Sequence, residues 1–347
     1  MSQIFVGIHP GLTNELGWVC EQLVSKGHHV VRGPQPAPGV KQVFPAETYP
    51  QLFSNTDVMV MTSHSICSRE IMLAAPRLRA VITPTIGVET VDLEAAEELG
   101  IIVGYGAIPE NFISVAEACV ALFAALFYEI KRSVTLMRDN VQRPWERRAR
   151  MVRGKTIGLI GFGRIGRAVY DRLQGWGVNI QTYDPYVKPS DLPPGVNAVD
   201  MATLLATSDL VSVHVTLTKE TRHLLGEKEL RSMKAGSCLV NTARGGVIDE
   251  DAFCRVWKDG HLGGAALDVF DTEPLPMSSP LRSLEGNIIL TEHFISHTRE
   301  THAVLPHALL RNIENVLKGE PPLYTKNPNV VPRWRERLSR LAAGASA

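Results

Sequence analysis

Residues 156–184 read TIGLIGFGRIGRAVYDRLQGWGVNIQTYD. The first five residues form a short apolar segment that is partly β-branched, which is typical of a strand buried on both faces of a parallel sheet. Three closely spaced glycines follow without a gap, and the stretch after them is amphipathic. The segment therefore predicts a strand, a tight turn and a helix, and this arrangement indicates an α/β fold.

The glycine spacing of this turn suits a dinucleotide. Gly161 would permit the turn, Gly163 would let the backbone approach a pyrophosphate, and Gly166 would let the helix lie close to the strand. The phosphates would lie on the unpaired N–H groups at the helix start, where Arg164 and Ile165 are further candidate cofactor contacts. Taken alone, this glycine pattern also occurs in purely structural turns.

An acidic residue further along the chain favours one cofactor. A second predicted strand over 178–183 leads to Asp184, close to the roughly 20-residue spacing expected for a carboxylate that accepts bonds from the adenosine ribose. A carboxylate there would repel a 2′-phosphate, so the sequence favours NAD. Lys188 lies just downstream and leaves NADP as the alternative.

Length and composition narrow the class of protein. A chain of 347 residues can form two domains with separate cores. Lys plus Arg and Asp plus Glu number 36 each, which predicts neither a nucleic-acid nor a membrane partner. The N-terminus has no secretory pattern, and no stretch reaches the roughly 18 apolar residues of a membrane span, so we expect a cytoplasmic protein. The 5 scattered cysteines lack a CxxC pair, and we expect them to be reduced.

Strand-like and helix-like stretches alternate along most of the chain, which predicts parallel sheets with crossover helices. A long helical pattern over 114–137 begins with Ser114 and Glu117, a candidate capping box. Further βα units after Thr156–Ile160 predict a doubly wound sheet of about six strands. Near the C-terminus, we expect one more amphipathic helix and then a basic surface helix over 333–341.

Three polar segments follow predicted strands of the second sheet and carry Arg244, Glu273 and His293. Open α/β sheets bind ligands at the C-terminal ends of their strands, so we expect these side chains to form one cluster. A histidine suits the transfer of the hydroxyl proton that accompanies hydride transfer, and a nearby carboxylate would favour the imidazolium. An arginine can bind a carboxylate with two parallel bonds. Individually, such residues also occur as solvated caps and turn markers.

The surrounding motifs resemble those of the D-isomer specific 2-hydroxyacid dehydrogenases, a family that also holds phosphoglycerate, glycerate, formate and phosphite dehydrogenases. By that resemblance, His293 is the acid/base, Glu273 orients it, and Arg244 binds the substrate. The matching motifs are GFGRIG at 161–166, YDPY at 183–186, ETRHLL at 220–225, NTARGGVIDE at 241–250, ALDVFDTEP at 266–274, and His293 with its preceding threonine.

The resemblance also implies a two-lobed architecture. A Rossmann doubly wound NAD-binding domain over 111–297 is inserted into a flavodoxin-like substrate-binding domain, which comprises residues 1–110 and, together with a C-terminal tail, residues 298–347. It implies a homodimer, for which the 114–137 helix is a candidate contact.

Further site residues come from the resemblance alone. Asp268 would accept a hydrogen bond from the nicotinamide carboxamide. In the N-terminal lobe, Ile86 and Gly87 belong to a loop whose backbone N–H groups hold the substrate carboxylate. Other residues would line the cofactor cleft: His214, Thr216, Thr221 and Thr242.

The expected substrate is a small polar 2-hydroxy acid or 2-keto acid. Phosphoglycerate-type members have an arginine where this chain has Thr62, which disfavours 3-phosphoglycerate and leaves it as an alternative. Formate dehydrogenases have a glutamine at the position of Glu273, which argues against formate. The segment 83–85 replaces the family's glycine-alanine-glycine pattern.

Two other interpretations remain. Four histidines, His293, His297, His302 and His307, include a spacing found in zinc sites, but Pro306 interrupts the pattern and we expect no metal. An NAD(H)-sensing interaction protein, similar to the corepressors that share this fold, is the second functional class. The balanced charge of the chain disfavours it.

Overall fold

The computed structural model describes residues 1–34 and 42–344. The chain divides into two compact units. Met1–Glu110 together with Thr298–Ala347 form one, called here the discontinuous unit, and Asn111–His297 form the other, called the central unit.

The discontinuous unit is built on a parallel sheet. Its strand order within the described residues is β2-β1-β3-β4-β5, the flavodoxin-like order, with a reversal between the first and third strands. The elements in chain order are β1 (Gln3–Val6), α1 (Thr13–Ser25), β2 (His29–Arg32), α2 (Tyr49–Phe53), β3 (Thr56–Val60), α3 (Arg69–Leu73), β4 (Ala80–Ile82), α4 (Leu93–Leu99) and β5 (Ile102–Gly104).

Side chains alternate between the two faces of this sheet. Ile4 and Val6 pack in the cluster that contains α1, whereas Phe5 packs on the opposite face with Phe44 and Phe53. Both faces are covered, which explains why the strands are almost wholly apolar rather than alternating.

The central unit has a larger parallel sheet, with the strand order β12-β11-β10-β9-β6-β7-β8 in the part of the chain that the structure describes. This is the doubly wound Rossmann arrangement, so the predicted fold class is confirmed. The elements are α5 (Pro109–Phe127), α6 (Ile130–Arg138), β6 (Thr156–Ile160), α7 (Arg164–Arg172), β7 (Asn179–Tyr183), β8 (Val196–Ala198), α8 (Met201–Thr207), β9 (Leu210–Val213), α9 (Glu227–Ser232), β10 (Cys238–Asn241), α10 (Glu250–Lys258), β11 (Gly264–Leu267) and β12 (Ile288–Leu290).

The sheet has seven strands where about six were predicted, and the additional strand is β8. This strand pairs with β7 at the sheet edge, and only Val196 of its three residues is buried. A strand so short and so exposed has no apolar run, and its pairing depends on the neighbouring strand.

The single helix predicted over 114–137, with a capping box at Ser114 and Glu117, was wrong. One helix, α5, begins five residues earlier at Pro109, so Ser114 lies inside it and its hydroxyl donates to the Asn111 carbonyl. The chain then breaks at Glu129, which adopts a left-handed conformation with φ 49° before α6 starts.

The break at Glu129 is held by a contact distant in sequence. Arg147 donates from Nε to the Glu129 carboxylate at 2.8 Å and from a terminal nitrogen to the Glu129 carbonyl at 3.0 Å. The apolar periodicity continues through the break, so local sequence predicts one helix where a tertiary contact produces two.

Helix α5 is long and apolar enough to cross a membrane by length and composition, and no other helix of the described residues is. Its residues Val115, Cys119, Phe123 and Leu126 are buried in the central unit, where they pack with the strand residues Ile157 and Leu159, among others. Its apolar character is thus that of a core helix.

Two C-terminal helices complete the discontinuous unit, α11 (Arg299–Lys318) and α12 (Val331–Gly344). The prediction of a surface helix over 333–341 was wrong in one respect, because Trp334 is fully buried and its Nε1 donates to the Arg79 carbonyl at 2.9 Å. Arg337 donates to the carbonyls of Leu78 and Leu99. The helix is therefore part of the core of its unit, anchored by contacts with residues far away in sequence.

Candidate active site

The glycine-rich turn connects β6 to α7, and its geometry requires a glycine at two of the three positions. Gly161 has φ 94°, a conformation that disfavours any side chain. A Cβ at Gly166 would lie 2.5 Å from the Gly161 carbonyl oxygen, so the helix packs too closely for a larger residue. A Cβ at Gly163 would meet no atom of the described chain within 4 Å, and this open position fits the approach of a pyrophosphate.

Asp184 follows β7 and braces this turn. Its Oδ2 accepts from the Phe162 N–H at 2.8 Å, and its Oδ1 accepts from the Tyr186 N–H at 2.9 Å. The carboxylate thus connects the ends of the adjacent strands β6 and β7, beside the predicted phosphate turn. Arg164 is exposed and Ile165 half-buried, both in the first turn of α7.

His214 is the next predicted cofactor residue, directly after β9. A Cβ at Gly161 would lie 2.9 Å from the His214 carbonyl oxygen, which places the histidine beside the glycine turn. Neither ring nitrogen has a hydrogen-bond partner among the described residues, and burial lowers the pKa of the ring to about 4. A neutral ring with two buried unpartnered nitrogens fits a bound polar ligand such as a dinucleotide.

The three predicted threonines have different environments. Thr221 donates to the Thr216 carbonyl at 2.6 Å, so both belong to one exposed turn after β9. Thr242 is buried after β10, and its hydroxyl lies 3.3 Å from the Cys119 sulfur.

Arg244 lies on the loop after β10, and its backbone is fixed by Asn241. The side chain of Asn241 donates to the Arg244 carbonyl at 2.9 Å and accepts from the Ala243 N–H at 3.1 Å. The next residue, Gly245, packs directly on the loop after β11, since a Cβ there would lie 1.9 Å from the Phe270 carbonyl carbon. Asn241 and Gly245 both belong to the NTARGG motif, but their positioning roles follow only from these contacts.

Glu273 and His293 form a hydrogen-bonded ion pair. Glu273 Oε2 lies 2.8 Å from His293 Nδ1, and Glu273 Oε1 accepts from the Phe270 N–H at 3.0 Å. The carboxylate therefore has one oxygen for the backbone and one for Nδ1 of the imidazole, and Nε2 of His293 takes no part in this pair.

The electrostatics of the pair favour the charged form of both groups. Burial raises the pKa of Glu273, but the hydrogen bond to His293 and the positive charge of the imidazolium outweigh burial. The pKa of Glu273 therefore lies below its ordinary value. Burial lowers the pKa of His293, but the hydrogen bond to Glu273 and the negative charge of that carboxylate outweigh burial. The pKa of His293 is therefore raised above its ordinary value. The charge of Arg244 lowers both pKa values, so the structure brings the three predicted residues into one electrostatic cluster.

Asp268 accepts hydrogen bonds from residues on both sides of His293. One oxygen, Oδ1, accepts from the Thr291 hydroxyl at 2.7 Å and from the Phe294 N–H at 3.0 Å. His293 itself has φ 58°, a conformation that is strained for a side chain with a Cβ and common at functional sites. Burial raises the pKa of Asp268, although these bonds and the charge of His293 oppose the shift.

The predicted substrate loop lies in the discontinuous unit. Ile86 and Gly87 are half-buried after β4, and the Thr85 carbonyl just before them accepts from the Thr83 hydroxyl at 3.0 Å. Thr62 is fully buried after β3, and its hydroxyl donates to the Ile8 carbonyl at 3.0 Å.

The histidines of the metal interpretation serve other contacts. His302 Nδ1 lies 2.7 Å from Glu15, and the His307 ring stacks edge-on with Trp18. Within residues 1–34 and 42–344, no group of three or more His, Cys, Asp or Glu residues could hold a metal ion.

A doubly wound sheet with a glycine-rich phosphate turn and a Glu-His pair at neighbouring strand ends defines a dinucleotide-dependent oxidoreductase. The chain belongs to the D-isomer specific 2-hydroxyacid dehydrogenase family, whose NAD binding domain matches residues 120–294. It is thus an NAD-dependent enzyme of 2-hydroxy acids, and the predicted family, cofactor and reaction class are confirmed.

Known proteins show how far the similarity extends. The chain is 39% identical over 270 residues to a glyoxylate reductase of Thermofilum pendens, which covers 76% of this chain and 78% of that protein. It is 36% identical over 281 residues to a D-3-phosphoglycerate dehydrogenase of Archaeoglobus fulgidus, but that match spans 80% of this chain and only 52% of the relative. The crystal structure of a glyoxylate reductase from Paecilomyes thermophila superposes with a TM-score of 0.82 at 27% identity, covering 94% of this chain and 99% of that one.

Proposed function

We propose that this protein interconverts a small polar 2-keto acid and its 2-hydroxy acid, with His293 as general acid/base, Glu273 as its orienting partner and Arg244 as the substrate-binding cation. The contact of 2.8 Å between Glu273 and His293 Nδ1 is the observation that carries the proposal. It fixes the ring and leaves the exchangeable proton at Nε2.

In the direction of reduction, the His293 imidazolium donates its Nε2 proton to the keto oxygen. Glu273 stabilises the imidazolium beforehand, and Arg244 binds the substrate carboxylate and polarises the carbonyl. In oxidation, neutral His293 accepts the hydroxyl proton at the same atom. NAD, when bound, supplies the site that accepts or donates the hydride.

The residues of the central unit that would hold NAD follow from the turn geometry. The unpaired N–H groups at the start of α7 would hold the pyrophosphate, with Gly161 and Gly166 shaping the turn and Gly163 leaving room for the phosphates, and Asp184 would accept from the ribose hydroxyls and disfavour a 2′-phosphate. Asp268 would use its second oxygen, Oδ2, for the nicotinamide carboxamide. The remaining proposed contacts are Arg164, Ile165, His214, Thr216, Thr221 and Thr242.

The discontinuous unit is, in this proposal, the substrate-binding domain. Backbone N–H groups at Ile86 and Gly87 would hold the substrate carboxylate. Thr62 cannot supply the cation that a phosphate needs, because it is uncharged and its hydroxyl already donates to a backbone carbonyl. An unphosphorylated acid is therefore favoured over 3-phosphoglycerate, and the similarity to glyoxylate reductases points to the same small class.

A substrate panel tests this proposal. Loss of NADH absorbance is followed with glyoxylate, hydroxypyruvate, phenylpyruvate and 3-phosphohydroxypyruvate. We expect turnover of an unphosphorylated acid. For 3-phosphohydroxypyruvate, kcat/KM should be lower by about tenfold or more, which is the effect expected when one charge-assisted hydrogen bond to the phosphate is missing. Turnover of none of these acids by protein that binds NADH would contradict the substrate class.

A substitution of Arg244 tests its proposed role in substrate binding, and KM for NADH serves as the internal control. Arg244→Lys retains the charge and loses the planar fork, so KM for the keto acid should rise about ten- to a hundredfold while KM for NADH stays the same. Equal changes in both KM values would contradict the proposed role of Arg244.

We also propose a cytoplasmic homodimer. Helix α6 and the segment after it expose large apolar side chains, with Val134 62% and Met137 81% accessible, a pattern typical of a protein interface. Val134→Glu should shift the molar mass from dimer to monomer. Leu73→Glu, a similarly exposed site at 58% in the discontinuous unit, should leave it unchanged.

A further inference from the structure

Glu250 is a carboxylate that the proposed reaction does not use. It is the first residue of α10, directly after the N-cap Asp249, and its side chain is half-buried. Its Oε1 accepts from the Asp271 N–H at 2.7 Å. That contact joins the start of α10 to the loop after β11, which carries Glu273.

The loop after β11 is held by two carboxylates on successive amides. The Phe270 N–H donates to Glu273 at 3.0 Å, and the next amide, that of Asp271, donates to Glu250. The same two residues pack against the segment that carries Arg244, because a Cβ at Gly245 would lie 1.9 Å from the Phe270 carbonyl carbon and 2.4 Å from the Asp271 nitrogen. Glu250 therefore fixes the loop where two parts of the proposed active site meet.

The charges around Glu250 are mostly negative. Asp271 and Glu273 face it from the loop after β11, and Asp251 follows it on its own helix; together with burial, they raise the pKa of Glu250. Oδ2 of Asp271 lies 3.9 Å from Nε2 of His223, a residue of the segment after β9.

We propose that Glu250 is a positioning residue for the Glu273–His293 pair, because it holds the Asp271 amide and so fixes the direction of the Glu273 side chain. This inference rests on the proposed acid/base role of His293. If the loop becomes more mobile, the hydrogen bond between Glu273 and Nδ1 of His293 forms less often. The His293 imidazolium is then less stabilised, and a smaller fraction of His293 is protonated at a given pH.

Two substitutions distinguish the effect of the Glu250 side-chain length from the effect of its charge. Glu250→Asp retains the charge but withdraws the acceptor from the Asp271 amide, so kcat for keto-acid reduction should fall about tenfold or more, a cost typical of a misplaced catalytic group. The fall of kcat with rising pH should also begin at lower pH, because the pKa of His293 decreases. Glu250→Gln retains an acceptor of the same length, and its kcat should stay within threefold of the wild type.

The exposed neighbour Asp251 supplies the control, since Asp251→Ala changes a charge in the same helical turn. It should leave both kcat and the pH profile unchanged, and thermal denaturation of all variants shows whether any loss is one of folding. A large effect of Glu250→Gln with a small effect of Glu250→Asp, or an unchanged pH profile in Glu250→Asp, would overturn the inference. Failure of the proposed function is distinguished by His293→Gln: if that variant keeps the full rate, the acid/base assignment itself is wrong.

Discussion

The two compact units are both parallel α/β sheets, yet they use the polar residues at their strand ends differently. In the central unit some of these side chains bond to one another, as Glu273 does with His293 and Asp268 with Thr291. In the discontinuous unit, Thr62 and Thr83 donate to carbonyls of the backbone. Polar side chains thus build a titratable centre in one unit and shape loops in the other.

This difference indicates where chemistry and substrate choice reside. A charged pair in the central unit can move a proton, whereas hydroxyls that are bonded to the backbone only set the positions of loop N–H and C=O groups. Substitutions in the central unit should therefore change rates and pH profiles. Substitutions at the strand ends of the other unit should change stability and affinity.

The largest expected effect is that of His293→Gln. Removal of the general acid should lower kcat for keto-acid reduction about 10²- to 10⁴-fold, with KM for NADH unchanged. Stopped-time assays of NADH oxidation, together with the melting temperature, measure it. A rate near that of the wild type would mean that the Glu-His pair is structural, and the contrast between the units would disappear.

Trp334→Ala should produce the largest loss of stability, in the discontinuous unit. The indole is fully buried and its N–H is bonded to the Arg79 carbonyl, so its removal should cost about 3–5 kcal/mol. Urea denaturation measures the loss, and Trp176→Ala, at a residue 39% exposed, serves as the control with a much smaller cost. Similar costs for both would show that α12 is not part of the core.

Glu273→Gln should shift the pH profile. The pKa of His293 is raised above its ordinary value in the folded protein, so the imidazolium, and reduction with it, is lost only as pH rises through that raised value. Without the carboxylate the pKa decreases and the loss begins at lower pH; at pH values above the wild-type pKa, kcat should fall about tenfold for each unit by which the pKa decreases. A pH–rate profile of kcat measures this, and an unshifted profile would show that another group titrates.

Asp184→Asn should alter the choice between cofactors. The amide retains an acceptor for the Phe162 N–H but no longer repels a 2′-phosphate, so kcat/KM should fall about tenfold with NADH and rise with NADPH. The ratio of the two kcat/KM values is the measurement. A ratio equal to that of the wild type would exclude Asp184 as the determinant.

The smallest effect is expected for Thr62→Val. Loss of the bond to the Ile8 carbonyl should destabilise the protein by about 1 kcal/mol while kcat stays within twofold. Denaturation and steady-state rates measure the two quantities. A large fall in kcat with unchanged stability would place a polar group of the discontinuous unit in the chemistry and would end the contrast drawn above.

Much of the architecture was predictable because its signals are local. The strand and turn at Thr156–Gly166 need an apolar run and glycines at set spacings, which are present whatever the rest of the chain does. The strand Thr156–Ile160 has the predicted bounds. The break at Glu129, the edge strand β8 and the burial of Trp334 depend on contacts with residues far away in sequence, and local patterns do not contain them.

The sequence by itself determined the class of fold, the phosphate turn, the NAD-binding family and the residue types of the active site, because motifs of fixed spacing specify backbone shape and chemistry locally. Only the tertiary structure decided that Glu273 uses one oxygen for His293 and the other for the backbone, and that Asp268 accepts from the Thr291 hydroxyl and from the Phe294 N–H. It also decided that Glu250 lies against the loop that carries Glu273. These relations depend on which strand ends adjoin one another, and parallel sheets bring together segments that are far apart in the chain.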